Sequence, residues 1–133
     1  MAKRILIESS FSMTLVRHET SAIHVSVAGD FDIAAAPEFD SALAATIDDG
    51  ARDIVIDLTG AAVVDSTSLT SLLRLHRRLH ELGGTFHVVC VNPRIVKLFT
   101  ITGLVRVLSI VAINPLNDTP RASKPRSNPQ IAG

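Results

Sequence analysis

A chain of 133 residues, 47% apolar and 20% charged, has the size and the core material of one domain. Lys plus Arg and Asp plus Glu both total 13, so no net field marks the chain for DNA, RNA or anionic lipid. With no Trp or Tyr and five scattered Phe, it has little on which single-stranded bases could stack, which argues against a nucleic-acid partner.

The one cysteine, Cys90, has no partner for an internal disulfide, so nothing points to an oxidising compartment. No stretch reaches the roughly 18 uninterrupted apolar residues of a membrane span. The longest apolar zone, Leu104 to Ile113, is broken by Arg106 and Ser109. Met1 to Arg4 begins like a basic signal peptide, but Ile5, Leu6 and Ile7 stop at Glu8, too short for its apolar region. The cytoplasm is the default compartment, with no membrane partner.

Residues 1–10 read as a leader, and the pattern leaves open whether they pair into a sheet. Met13 to Val16 is a first strand. Ile23, Val25 and Val27 alternate with His24, Ser26 and Ala28, the period of a strand wet on one face, and Gly29-Asp30 ends it. Pro37 suits the first turn of a helix, where its missing N–H is no loss. Phe39, Leu43 and Ile47 form its stripe, and it stops at Gly50.

Ile54-Val55-Ile56 lacks alternation, as expected of a central strand covered on both faces, and Asp57 to Gly60 leads into a loop. Asp65 and Ser66 open a second helix carrying Leu69, Leu72, Leu75, Leu79 and Leu82, which ends at Gly83-Gly84. Phe86 to Val91 is another buried strand. Asn92-Pro93 starts a short third helix, with Asn as cap, that stops at Gly103, and Val105 to Val111 offers a last strand. The fold class is α/β: order β-β-α-β-α-β-α-β, a mixed, mostly parallel sheet with helices on at least one face. This domain spans residues 11–113. From Asn114, four prolines among Ser, Asn, Arg and Lys leave too little apolar surface to offset ordering entropy, so residues 114–133 read as a disordered tail.

Two segments carry candidate chemistry. Val63 to Leu69 places Asp65, Ser66, Thr67 and Ser68 at a helix start, where free N–H groups and the helix dipole receive a phosphate well. The adjacent Asp65 carboxylate pulls the other way, so a phosphate there would sharply raise local negative potential. Ordinary helix capping by Asp65 or Ser66 explains the same residues. The second segment, Gly29-Asp30-Phe31-Asp32, could bind a cation or orient a hydroxyl through its acids, and turn chemistry explains it too.

Gly29 to Pro37, then Ile56 to Thr59, then Val64 to Leu69, in this order and spacing, resemble the STAS domain, and in particular the bacterial anti-sigma-factor antagonists. The resemblance runs from about Met13 to Ile110. It implies a sheet flanked by helices and a phosphorylated serine that falls on Ser66, with the family's two site-lining acids on Asp32 and Asp65. It also implies the partners: an anti-sigma factor that is itself a serine kinase, and a PP2C-type phosphatase that reverses the modification. The unmodified protein would hold the anti-sigma factor and free the sigma factor. Thr67, Ser68 and Phe99 are the expected partner-binding residues. Mg·ATP and the base would come from the kinase, since this chain has no glycine-rich phosphate loop. No cofactor and no metal is expected, and the chain is read as no enzyme.

Two departures from the family pattern stand out. Ser68 occupies a position where the family often has Gly, and adds a third hydroxyl beside Ser66 and Thr67. The family's usual last helix is missing, because Ile113 to Pro115 leads straight into the tail.

His76 and His80 have the four-residue spacing of a metal pair, but no further ligand is spaced to complete a zinc site, so they read as packed or interface histidines. Ile95, Val96, Leu98, Phe99 and Ile101 cover more of the third helix than one core face needs, which suggests burial by the last strand or a docking patch. Cys90 reads as a small buried apolar residue. Two alternatives remain: a STAS subunit of a larger signalling or lipid-transport assembly with no phospho-switch, and a small hydrolase using the loop acids and histidines.

Overall fold

The computed structural model describes residues 2–8 and 10–112. The strands are β1 (Ala2–Glu8), β2 (Phe11–Arg17), β3 (Ile23–Phe31), β4 (Asp53–Val64), β5 (Thr85–Cys90) and β6 (Ser109–Ala112). The helices are α1 (Ala36–Asp48), α2 (Ser66–Glu81) and α3 (Pro93–Ile101), with a 3-10 turn at Leu104–Arg106. The six strands lie side by side in chain order, antiparallel from β1 to β3 and parallel from β3 to β6. The expected order β-β-α-β-α-β-α-β is therefore present from Phe11 to Ala112.

Every α-helical crossover steps one strand in the same direction, so right-handed connections put all three helices on one face of the sheet. Burial along the strands agrees. Met13, Val25, Val27, Ile54, Ile56, Leu58, Phe86, Val88 and Cys90 point under the helices and are buried. Their alternates Thr14, His24, Ser26, Asp57 and His87 are half-buried or exposed on the other face. Phe39, Leu43 and Ile47 from α1 and Leu69, Leu72, Leu75 and Leu79 from α2 complete the core.

One open point is decided and three sequence expectations change. The leader does pair into the sheet: residues 2–8 form a strand, antiparallel from Ala2 opposite Val16 to Glu8 opposite Phe11. The central strand is covered on one face only: Val55 sits half-buried on the open side, so its apolar character marks a β-former rather than a second layer. Asp57 to Gly60 leads into no loop, because β4 runs on to Val64 and pairs with β3 through two register shifts. The last strand is Ser109–Ala112, and Leu104–Arg106 instead closes a turn after α3. The expected tail at 114–133 and its junction at Ile113 lie outside the described residues.

One glycine shows how tightly the site end is built. Gly29 has φ of 85°, and a Cβ there would stand 2.0 Å from the Ser10 carbonyl oxygen. That approach lets Asp30 N–H donate to the same carbonyl at 2.6 Å. Only glycine suits this point, where β3 bends toward the loop carrying Asp32.

Candidate functional site

The parallel strands β3 and β4 end in register, Phe31 opposite Val64. Asp32 and Asp65 are thus the next residue on each of two neighbouring strands, at the carboxyl end of the sheet where α/β folds gather their sites. The family resemblance implies that both acids line one site, and strand pairing brings their backbones side by side.

Asp65 is the N-cap of α2, with extended backbone and a side chain that accepts from Ser68 N–H at 3.0 Å. The Ser68 hydroxyl oxygen also lies 3.0 Å from Oδ1 and shares its one proton between Oδ1 and the Phe31 carbonyl, while Oδ2 accepts from Ile33 N–H at 2.9 Å. One carboxylate therefore caps its own helix and ties it to the loop after β3. Burial pushes the Asp65 pKa up, but the Ser68 N–H and hydroxyl and the Ile33 and Thr67 N–H groups outweigh it. The net effect holds the carboxyl below its ordinary value of 3.8. Asp32 acts locally: its Oδ1 accepts from Ala34 N–H at 3.1 Å and Ala35 N–H at 3.2 Å, shaping the turn into α1.

The three hydroxyls separate by environment. Ser66 is the first residue of α2 and is exposed; Thr67 is half-buried. Ser68 is 0% exposed, and its hydroxyl donates to the Phe31 carbonyl of β3. The expectation that Ser68 touches a partner is therefore corrected, since its side chain locks α2 to the end of β3. Phe99 needs the same correction. It is 0% exposed because Ile95 and Phe99, one turn apart, form the inward face of α3. The exposed apolar residue of that helix is Ile101, at 70%.

Two features escaped the sequence reading. Ile33, 68% exposed, stands on the loop that Asp65 holds, and Val63, near the end of β4, is also exposed. A groove of about 240 Å³ starts at Ser66 and runs past Leu69, Thr70 and Leu73 to Thr102 and Leu104. No local pattern encodes either: the in/out alternation of β4 breaks between Leu58 and Ala61, and the groove depends on how α2 meets the turn after α3.

The histidines form no metal centre among the described residues. His76 and His80 stack with ring centroids 6.2 Å apart, and His76 lies 6.1 Å from Phe86. Burial first, then the charges of His80 and Arg77, pushes the His76 pKa below 6.5. Cys90 is buried, and burial pushes its thiol pKa up, against ready thiolate formation.

A one-sided mixed sheet, with a capped serine-bearing helix start where two parallel strands end, is the architecture of a STAS-type α/β domain. A model of the STAS domain matches residues 14–119. The anti-sigma-B factor antagonist of Bacillus subtilis is 30% identical over 97 residues, covering 73% of this chain and 88% of that protein. That of Staphylococcus aureus is 32% identical over 80 residues, covering 60% and 74%. The crystal structure of an anti-sigma factor antagonist from Mycobacterium paratuberculosis matches with TM-score 0.69 and 27% identity over 80% of this chain and 86% of that one. The antagonist SpoIIAA in its unphosphorylated form shares the fold at TM-score 0.68 and 18% identity, over 79% and 90%. The chain belongs to the STAS domain family, among its anti-sigma factor antagonists. No helix of the described residues is long and apolar enough to cross a membrane.

Proposed function

We propose that this chain binds a cytoplasmic anti-sigma factor and so releases a sigma factor, and that phosphorylation of Ser66 by the same partner, acting as a serine kinase, ends the binding. The observation that carries this reading is the contrast among neighbouring hydroxyls: Ser66 is exposed at the start of α2, whereas Ser68 is buried and bonded to Phe31. A kinase reaches the first and not the second.

A phosphate on Ser66 would sit at the positive end of the α2 dipole, which supports its retention without unfolding the helix. It would also stand next to a carboxylate whose pKa is already depressed, so both groups stay charged near neutral pH. The strong negative potential at the mouth of the Ser66 groove would oppose a partner that docks there on apolar contacts. In this cycle the chain is substrate and ligand, not catalyst, and a PP2C-type phosphatase restores it.

The test is to incubate the chain with ATP and candidate anti-sigma kinases and to map phosphate by mass spectrometry. Phosphate on Ser66 alone is expected. Ser66→Ala should bind the anti-sigma factor constitutively and Ser66→Glu weakly; equal binding by both would sink the switch. Co-purification with a transporter ATPase would instead favour the assembly-subunit reading.

A further inference from the structure

The seam between α1 and α2 lies away from Ser66 and has its own chemistry. Both helices follow parallel strands, and they run side by side in the same sense: Arg74 pairs with Asp40 and Arg78 with Asp48, each at 2.9 Å. Beneath these two bridges is a groove of about 240 Å³. It exists because the facing positions are small: Ala44 on α1 and Ser71 on α2 leave room that larger side chains would fill. Its apolar wall comes from Phe39, Leu43, Ile47 and Leu75.

Ser71 is the second observation. It is 1% exposed, and its hydroxyl has no hydrogen-bond partner, although it lines this groove. A buried hydroxyl without a partner is costly and calls for an acceptor. Arg74 and Arg78 follow at three and seven residues, spacings that return to the same face of α2. The face thus offers a buried donor, an apolar wall and two guanidinium groups. The Asp partners of those guanidiniums are partly exposed, and such surface pairs are weak enough to be exchanged.

We propose that this seam binds a small amphiphilic carboxylate. The carboxylate accepts from Arg74, which releases Asp40 to water, and a small opening of the seam lets the buried Ser71 hydroxyl donate to its other oxygen. The apolar chain lies along Leu43, Ile47 and Leu75. A cavity of 150 Å³ holds benzene, so this volume suits a ligand of about ten heavy atoms.

Sodium octanoate is the probe, titrated into the full chain and followed by amide chemical shifts. 1-Octanol serves as the uncharged control. Saturable shifts confined to α1 and α2 are expected, with affinity for octanoate about tenfold above that for octanol. Arg74→Gln should bring octanoate down to the octanol level, and Ala44→Leu should abolish both by filling the groove. Arg74 is a surface residue, so that variant decides the matter even if Ala44→Leu fails to fold. Absence of saturation at millimolar octanoate would overturn the proposal, as would equal affinity for the two probes or shifts centred on the exposed Ile101 region. Any of these results would mean that the groove is a hydrated helix seam. Ser66→Ala should bind octanoate unchanged, so this site and the phosphoserine reading stand or fall separately.

Discussion

Asp32 and Asp65 follow the paired ends of two neighbouring strands, yet they do different work. The Asp32 side chain accepts from Ala34 and Ala35 in its own turn. Asp65 bonds to Ser68 in its own helix and to Ile33, 32 residues away in sequence. Two carboxylates at one end of the sheet thus divide into a local turn-former and a crosslink. The difference teaches that a helix cap can also register two loops when its second oxygen is free to reach across.

Asp65→Ala breaks the comparison most severely. It removes the α2 cap and the tie to the loop of Ile33 together, which should cost about 2 kcal/mol in urea unfolding. The pH profile sharpens the same point. The folded-state pKa of Asp65 lies below 3.8, so the unfolded chain takes up this proton first as pH falls. The stability the carboxylate lends is full above 3.8 and is lost as pH drops through the lower folded value. Wild type should therefore lose stability more steeply than Asp65→Asn, which keeps a capping oxygen without the charge, as pH falls from about 4 through the lower folded value. Parallel profiles would show that the charge is unimportant there.

Ser68→Ala comes next in size. It removes the one hydroxyl proton that the Phe31 carbonyl and Asp65 Oδ1 share. A cost of about 1 kcal/mol is expected, with the Ser66 hydroxyl still open to modification. A larger effect on phosphate incorporation at residue 66 than on stability would mean that Ser68 serves the kinase directly.

Much of this could be read in the sequence. The leucine spacing of α2, its Asp65 cap and the Asn92-Pro93 start of α3 are local signals, and the structure carries each one. The turn chemistry of Asp32 and the cap at Asp65 are also local signals, whereas the site they are expected to line rests on the family resemblance. The misses are non-local. Ile5 to Ile7 is too short to announce that it pairs with β2 at the sheet edge. Thr59-Gly60 has turn composition, yet β4 passes straight through it, because Gly60 packs under Ala28 and Val27 of β3 where a Cβ would crowd. Phe99 sits on a short helix with apolar residues all round, and only packing decides which face turns inward. Ser68 reads as one more hydroxyl until the Phe31 carbonyl arrives from 37 residues away.

The smallest expected effect is that of Asp32→Ala. Its Oδ1 accepts two bonds of 3.1 and 3.2 Å near the surface, where water can take its place. The Asp32 main-chain oxygen still receives Ala35 N–H at 3.0 Å and Ala36 N–H at 2.9 Å, so the turn into α1 keeps its frame. The loss should be about 0.5 kcal/mol in urea unfolding, well under that of Asp65→Ala. An equal cost for the two variants would erase the distinction between turn-former and crosslink. A stable Asp32→Ala chain also isolates the other role expected of this acid. If it folds as wild type but binds the anti-sigma factor less tightly or accepts less phosphate at Ser66, Asp32 contributes through the site it lines and not through the fold.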